Sequence, residues 1–431
     1  MRDEHGFTWD QGGHVIFSHY EYFDRLLDEL LGDAWEEHVR ESWIWMRQRF
    51  IPYPFQHNIW RLPQDELLAC IDGLLKIHAN GRYPNPPATF REWIMRSFGE
   101  GIADAFLLPY NFKVWAYDPA ELCVGWMGER VATVDIARTL RNLVLQRDDA
   151  GWGPNARFRF PRFGGTGAIW EALHARLPQQ ALASRGRVTA VCTADRTVHL
   201  EDGTRLRYDY LISTMPLDIL LHSLTDQPEL TARATGLTYS SSHIVGVGLD
   251  GQVPEQLETK CWMYFPEPEV PFYRATVFSN YSPNNVPQPG RQWSLMCEIS
   301  ESPKKPVDGA RVAHETVAGL QHIGLLPRET PVVSLWHRRL EHGYPTPFCG
   351  RDELLAEVDP RLRQLGIFSR GRFGAWKYEV SNQDHSLMQG VEAVDHILFG
   401  AEETTYQHPN VVNAAKGVGR RPARRAARAG A

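Results

Sequence analysis

The hydrophobic period changes once along this chain, near Gly186, and that change restricts its fold more than any single motif does. Between residues 63 and 145 apolar side chains recur at helical spacing. Leu67, Leu68, Ile71, Leu74 and Leu75 make one stripe. Thr89 with Glu92 caps a helix that carries Trp93, Ile94 and Phe98 and stops at Gly99. Beyond Gly186 the runs become short and extended, at 187–192, 197–200 and 206–208, with Asp202-Gly203 as a hairpin turn. Residues 210–214 read as a buried-type strand closed by Met215-Pro216, and further β segments are predicted at 243–249, 261–265, 274–279 and 293–299. Ahead of the helical block, 6–10 reads as a short strand and Gln11-Gly12-Gly13-His14 as a turn. Ser18 and Glu21 read as a capping box for a helix bearing Phe23, Leu26, Leu27, Leu30 and Leu31, which Gly32 ends. A closing helix over 384–399 places Met388, Val391, Val394, Ile397 and Leu398 on its inner face. With 431 residues, more than one compact core accommodates, the pattern predicts a mixed α and β protein of two or three domains stitched from separated segments.

Composition narrows the function. A net charge of −6 argues against a general nucleic-acid binder or a binder of anionic membranes. After Asn413 the sequence turns small and basic, with Lys416, Arg420, Arg421, Arg424, Arg425 and Arg428; with no apolar face, it reads as a disordered, solvated tail over 414–431. No apolar run reaches the roughly 18–20 residues of a membrane span. The first residues, Met1-Arg2-Asp3-Glu4-His5, lack the apolar core of a signal peptide, so the expectation is a cytoplasmic protein without membrane insertion. Its six cysteines stand far apart, which suits reduced thiols and indicates neither a zinc site nor a disulfide framework. No Gly-x-Ser-x-Gly elbow, His-Glu-x-x-His pair or Walker loop is present, and no metal is expected.

Four clusters remain. Gly12-Gly13-His14 suits close backbone approach to a flat ligand, or an ordinary turn. Residues 109–115 (PYNFKVW), followed by 125–130 (GWMGER), interleave aromatic and amide groups as a base-stacking pocket with a movable flap around Trp126 would; a buried aromatic belt fits them equally. Trp262-Met263-Tyr264-Phe265 and Phe272-Tyr273-Arg274-Ala275-Thr276 on neighbouring strands can set an arginine beside a tyrosine hydroxyl. Arg130 with Arg274 would then make the pair a diphosphate calls for. Residues 369–386 run polar into the start of the last helix, either capping it or facing negative charge with its free amides.

In order along the chain, 12–19 (GGHVIFSH), 52–56 (PYPFQ), 109–116 (PYNFKVWA), 152–155 (WGPN), 274–283 (RATVFSNYSP), 342–347 (HGYPTP) and 382–386 (NQDHS) resemble the UDP-galactopyranose mutases, nearer the eukaryotic-type branch than the short bacterial one. The resemblance runs from Gly6 to about Asn413. It implies an FAD enzyme that interconverts UDP-galactopyranose and UDP-galactofuranose. Flavin N5 would take the anomeric carbon as a covalent adduct, UDP would leave and return, and NADPH or NADH would supply the reduced flavin. The implied fold is α/β, mixed α+β: an FAD-binding Rossmann-like domain over 1–34, 183–236 and 366–413, a helical domain over 62–150, and an antiparallel-sheet substrate domain over 35–61, 151–182 and 237–365. Gly12, Gly13 and His14 would face the flavin, and Arg372, Asn382, Gln383 and Ser386 would contact FAD or the sugar. Arg40 would bind substrate, and Tyr53, Gln56, Phe106, Asn111 and Trp115 would bind uridine. Arg130, Arg274, Tyr264, Tyr281, Tyr344 and Tyr378 would hold the diphosphate, with Asn155 near the galactose and Trp126 and Trp152 on flaps. A homo-oligomer is compatible with all of this.

Two departures from the family pattern stand out. Ser381 replaces a glycine, and its Cβ would crowd the cofactor if the backbone needs positive φ. The family's opening strand, Gly-x-Gly-x-x-Gly turn and helix have no counterpart, since the one formal match, 246–251 (GVGLDG), lies mid-chain in a β run. The expectation is therefore an incomplete FAD-binding domain that holds FAD poorly as written. The alternatives are a non-catalytic UDP-sugar binder and, further off, an amine oxidase or desaturase-type flavoprotein.

Overall fold

The computed structural model describes residues 1–81, 83–127, 133–151, 156–183 and 186–414. Its strands, in chain order, are β1 (Trp35–Val39), β2 (Ser42–Met46), β3 (Arg49–Pro52), β4 (Arg157–Pro161), β5 (Val188–Cys192), β6 (Thr197–Leu200), β7 (Arg205–Arg207), β8 (Leu211–Ser213), β9 (Tyr239–Asp250), β10 (Trp262–Tyr264), β11 (Arg274–Val277), β12 (Gln292–Glu301), β13 (Val332–Pro345) and β14 (Ile367–Ser369). The principal sheet has seven strands in the order β13-β9-β12-β11-β10-β2-β3, antiparallel except where β10 runs parallel to β2. Its strands alternate as pleated strands must. Leu295, Cys297 and Ile299 of β12 enter a core with Val245, Val247 and Leu320, while Met296 points to the other face among Phe7, Trp9 and Phe278.

That other face explains the glycine pair in β9. A Cβ on Gly246 would lie 2.6 Å from the Trp9 ring, and one on Gly248 would lie 2.7 Å from Phe7. These glycines admit two stacked rings, so the mid-chain Gly-x-Gly is a packing feature. The segment carrying the rings is extended but joins no sheet; it makes only the isolated bridge Arg2↔Thr8 where a strand was expected.

The helical block packs against one end of the sheet, in a core that joins Ile94, Phe98, Phe106 and Trp115 with Ile44 and Tyr264. One of its expectations changes. In the helix Gln64–Asn80 the buried line is Cys70, Gly73 and Leu74, while Leu68 and Leu75 face solvent. The cause is a backbone-to-backbone crossing with the helix Phe90–Ile102: a Cβ on Gly99 would lie 2.5 Å from the Gly73 carbonyl. Gly99, at φ 74° and ψ 167°, leaves the helical region, so the first helical run stops there as expected and the next follows directly across the kink. The Thr89 cap forms as expected, accepting the Glu92 N–H.

The remaining elements surround a parallel pair, β8 with β14, whose core includes Leu217, Leu220, Leu355, Val358 and Trp376. β5, β6 and β7 form a separate antiparallel meander, and β1 pairs with β4. The first helix, Glu21–Leu31, starts after Tyr20 with no side-chain cap; Ser18 Oγ instead bonds Tyr20, so the expected capping box is not made. The closing helix, Gln383–Phe399, turns Asp384, His385, Gln389 and Ala393 inward and leaves Val394 and Leu398 exposed. Its buried face is small and polar, the reverse of the face read from apolar spacing. No described helix is long and apolar enough to cross a membrane.

Candidate active site

A cavity of about 680 Å³ lies between the principal sheet and the N-terminus of the closing helix. The sheet positions its most charged wall. Tyr264 on β10, Arg274 on β11 and Glu298 on β12 are direct cross-strand partners, so period-2 alternation aims all three side chains to one face. The Arg274 guanidinium meets the Glu298 carboxylate as a fork, Nε to Oε1 at 2.8 Å and Nη2 to Oε2 at 2.7 Å. Arg40, just ahead of β2, lies 4.4 Å from the Trp262 ring centroid, bonds Ser42 Oγ at 2.9 Å and donates to the Tyr264 hydroxyl at 3.2 Å. Arg274 lies 5.3 Å from the same indole. Thus Trp262 touches two guanidinium groups, and both of them line the cavity.

The turn at Gly12-Gly13 closes onto this row. Gly12 has φ 129°, and a Cβ on Gly13 would meet Thr276 Oγ1 at 2.8 Å and Trp262 Nε1 at 2.9 Å. Gly13 N–H donates to Glu298 Oε1 at 2.8 Å. The His14 side chain is open to the cavity, yet the low-polarity wall packed around it, with help from the charges of Arg372 and Arg274 and against that of Glu298, lowers its pKa, so its imidazole is neutral at pH 7. Burial acts to raise Glu298, but the Arg274 charge and the bonds it receives outweigh burial and hold it below the ordinary carboxylate value. Burial raises the Tyr273 and Tyr344 hydroxyls, which therefore stay protonated donors.

The opposite wall comes from the end of the chain. Arg372 donates to Ser381 Oγ at 2.9 Å and lies 4.9 Å from the Tyr344 ring. Ser381 has φ −117°, so the expected strain from replacing glycine does not arise; its Cβ carries a hydroxyl that Arg372 uses. Asn382 is the N-cap of the closing helix yet makes no side-chain cap bond, which leaves its amide to face the cavity. Behind it, Asp384 Oδ2 accepts both the His19 backbone N–H (2.9 Å) and its Nδ1 (2.8 Å), joining residues 365 apart in sequence. Further back, Arg370 is buried against Glu403, with Nη2 to Oε1 at 3.0 Å.

Of the residues singled out from sequence, Gly13, His14, Arg40, Tyr53, Tyr264, Arg274, Tyr344, Arg372, Tyr378, Asn382, Gln383 and Ser386 line this cavity, and Gly12 adjoins it. Others stand behind its walls. Phe106 stacks between Phe55 and Tyr110, Asn111 donates to the Leu107 carbonyl at 2.7 Å, and the Gln56 amide reaches Thr133. Trp115 is enclosed and backs Tyr344 and Tyr378 edge-on. Tyr281 is fully buried among Phe158, Phe160 and Phe278 and does not line the cavity. Trp126 packs against Phe90, Trp115 and Tyr378, so the buried-belt reading describes it better than a flap. Arg130, Trp152 and Asn155 lie outside the described residues.

Glu298 escaped the sequence reading. Its signal was available: a lone carboxylate at the centre of an apolar strand, where burial demands a partner. Among the described lining residues, three are arginines and none is Asp or Glu.

Comparison with known proteins completes the description. The flavin containing amine oxidoreductase family matches residues 1–427. The crystal structure of a reduced UDP-galactopyranose mutase is 50% identical, with a TM-score of 0.93 over 96% of this chain and 90% of that one. A CLA-producing fatty acid isomerase from P. acnes shares 12% identity (TM-score 0.57, 92% of this chain, 88% of that one). A putrescine oxidase redesigned in its cofactor binding shares 13% (TM-score 0.56, 90% and 87%). At those identities the likeness is one of fold alone.

Proposed function

We infer, because the chain belongs to the UDP-galactopyranose mutases within the flavin-containing amine oxidoreductase family, that it interconverts UDP-galactopyranose and UDP-galactofuranose in this cavity. The observation that carries the reading is the charge of the walls: Arg40, Arg274 and Arg372 converge with no carboxylate among the described lining residues. A diphosphate needs that arrangement, since each buried phosphate charge must be met by a fixed cation or donor.

The far end of the cavity suits the flavin of FAD. Gln383 Oε1, on the cavity wall at the start of the closing helix, is buried without a hydrogen-bond partner. Unpaired buried polar atoms cost about 1–3 kcal/mol each, so a polar ring placed there gains what the chain leaves unsatisfied. Gln383 also begins the closing helix, where backbone amides favour negative charge. When bound, reduced flavin supplies the electron pair that replaces UDP at the anomeric carbon, with NADPH or NADH as the reductant.

The chain's own residues do the rest. Arg274 and Arg40 hold the diphosphate and balance the charge it gains on leaving, with Trp262 keeping the two guanidiniums apart. The hydroxyls of Tyr264, Tyr344 and Tyr378 donate to the same oxygens. His14, neutral and fixed by its glycine turn, faces the ring without adding charge. Gln56, Phe106, Asn111 and Trp115 are proposed for uridine, Arg130 for a further phosphate contact and Asn155 for the sugar, by their match to the family motifs. Arg274→Ala is expected to weaken UDP binding by about 2–5 kcal/mol by calorimetry, as loss of one partner of a desolvated charge pair does. Unchanged affinity, or no conversion of UDP-galactofuranose by the reduced, FAD-loaded protein, would sink this reading.

A further inference from the structure

One buried carboxylate ties the arginine of the sheet wall to the Gly12–Gly13 turn without lining the cavity itself. Glu298 Oε1 accepts from Arg274 Nε and from Gly13 N–H, each at 2.8 Å. Its Oε2 accepts from Arg274 Nη2 at 2.7 Å and from the Tyr273 hydroxyl at 2.8 Å. The residue is 3% exposed, and four bonds saturate its two oxygens. Taking Arg274 as the phosphate grip proposed above, we propose that Glu298 is a positioning residue that makes the hold on the nucleotide and the placement of His14 interdependent.

The fork to Glu298 engages Nε and one Nη2 hydrogen of Arg274, which leaves Nη1 and the second Nη2 hydrogen for a phosphate. An anion that draws the guanidinium forward must stretch or carry the carboxylate with it. Because Oε1 is shared, the first group to feel that movement is Gly13 N–H, one residue before His14. Gly13 has no slack toward the sheet, where a Cβ already has no room. The opposite path is equally direct: a shift of the turn loosens Oε1 and tilts the plane of Arg274. A carboxylate placed only to satisfy one arginine would not need the turn's amide as well. Burying it in an otherwise apolar strand is unfavourable before pairing, and the pairing found is to the arginine and to the turn at once.

The test reads both ends of the link without needing the cofactor. UDP affinity is measured by calorimetry, and the His14 ring resonance, identified by its loss in His14→Gln, is followed in protein carrying 13C-labelled histidine. In the wild-type chain saturating UDP should displace that resonance. In Glu298→Gln, UDP affinity should fall about tenfold or more, as for a charge-assisted pair, and at saturation the resonance should not move. In an Arg274→Ala background the same change should cost less than about twofold, since Glu298 acts through the arginine. Full displacement in Glu298→Gln, additive losses in the double variant, or no displacement in the wild type would each overturn the proposal. If Glu298→Gln does not fold, Arg274→Lys cuts the fork from the other side while keeping the charge. Loss of the His14 response at saturating UDP is then expected, and its retention would be fatal. Unchanged UDP affinity in Arg274→Ala defeats the reading of the site itself. Weakened affinity with an intact His14 response in Glu298→Gln defeats only the coupling.

Discussion

At the sheet wall of the cavity the charged groups are already bonded within the chain, whereas at the start of the closing helix the buried Gln383 amide oxygen has no partner. Arg274, Glu298 and the neighbouring Tyr273 form one bonded set at the edge of β11 and β12. Gln383 Oε1, by contrast, has no partner. The difference teaches how the two ends can be used. A preorganised row grips a charged ligand without rearranging, and an unsatisfied rim derives its stability from what binds to it.

The comparison can be broken in three places. If the helix end is loose throughout, its supporting ion pair should matter little. We expect the reverse: Arg370 and Glu403 are 1% and 0% exposed, and without Glu403 both Arg370 and Arg363 would depend on Asp359 alone, so Glu403→Ala should cost about 3 kcal/mol in denaturant unfolding. The second place is His14, held neutral between the two ends. Its folded pKa lies near 4, below the ordinary histidine value of about 6.5, so the unfolded chain takes up the proton first. The stability this group contributes is complete above pH 6.5 and is lost as pH falls toward 4. Its side chain is open to solvent in the cavity, which screens the effect, so relative to His14→Gln the wild type should lose about 1 kcal/mol across that window, read from unfolding curves at several pH values. The third effect sharpens the rim. Gln383→Ala should leave the ligand-free chain within about 0.5 kcal/mol, yet lower flavin affinity by about 1 kcal/mol, the value of one hydrogen bond. Equal effects with and without flavin would remove the distinction between the ends.

How much of this was legible in the sequence depended on whether a feature is local. Strands 197–200 and 293–299 showed their alternation, and Thr89 showed its cap, because both are set by near neighbours. The placement of Tyr264 beside Arg274 also followed from two adjacent extended runs. Stripes of leucine misled where glycine decided the packing: Leu68 and Leu75 face water because Gly73 brings one helix backbone against another. The closing helix misled for a related reason. Its inner face is Asp384, His385, Gln389 and Ala393, and apolar periodicity cannot reveal a polar face that is buried by bonding to a distant segment. Glu298 was missed because its importance lies in what it holds in place.

The bond between His19 and Asp384 closes a span of 365 residues. During synthesis, at about 5–20 residues per second, the first half of the cavity must wait some tens of seconds for the second to emerge. Until then the Gly12–His14 turn has β11 and β12 to rest on but no closing helix above it. A site lined by both walls is thus complete only in a chain made nearly to its end, since Asn382, Gln383 and Ser386 are among its last residues.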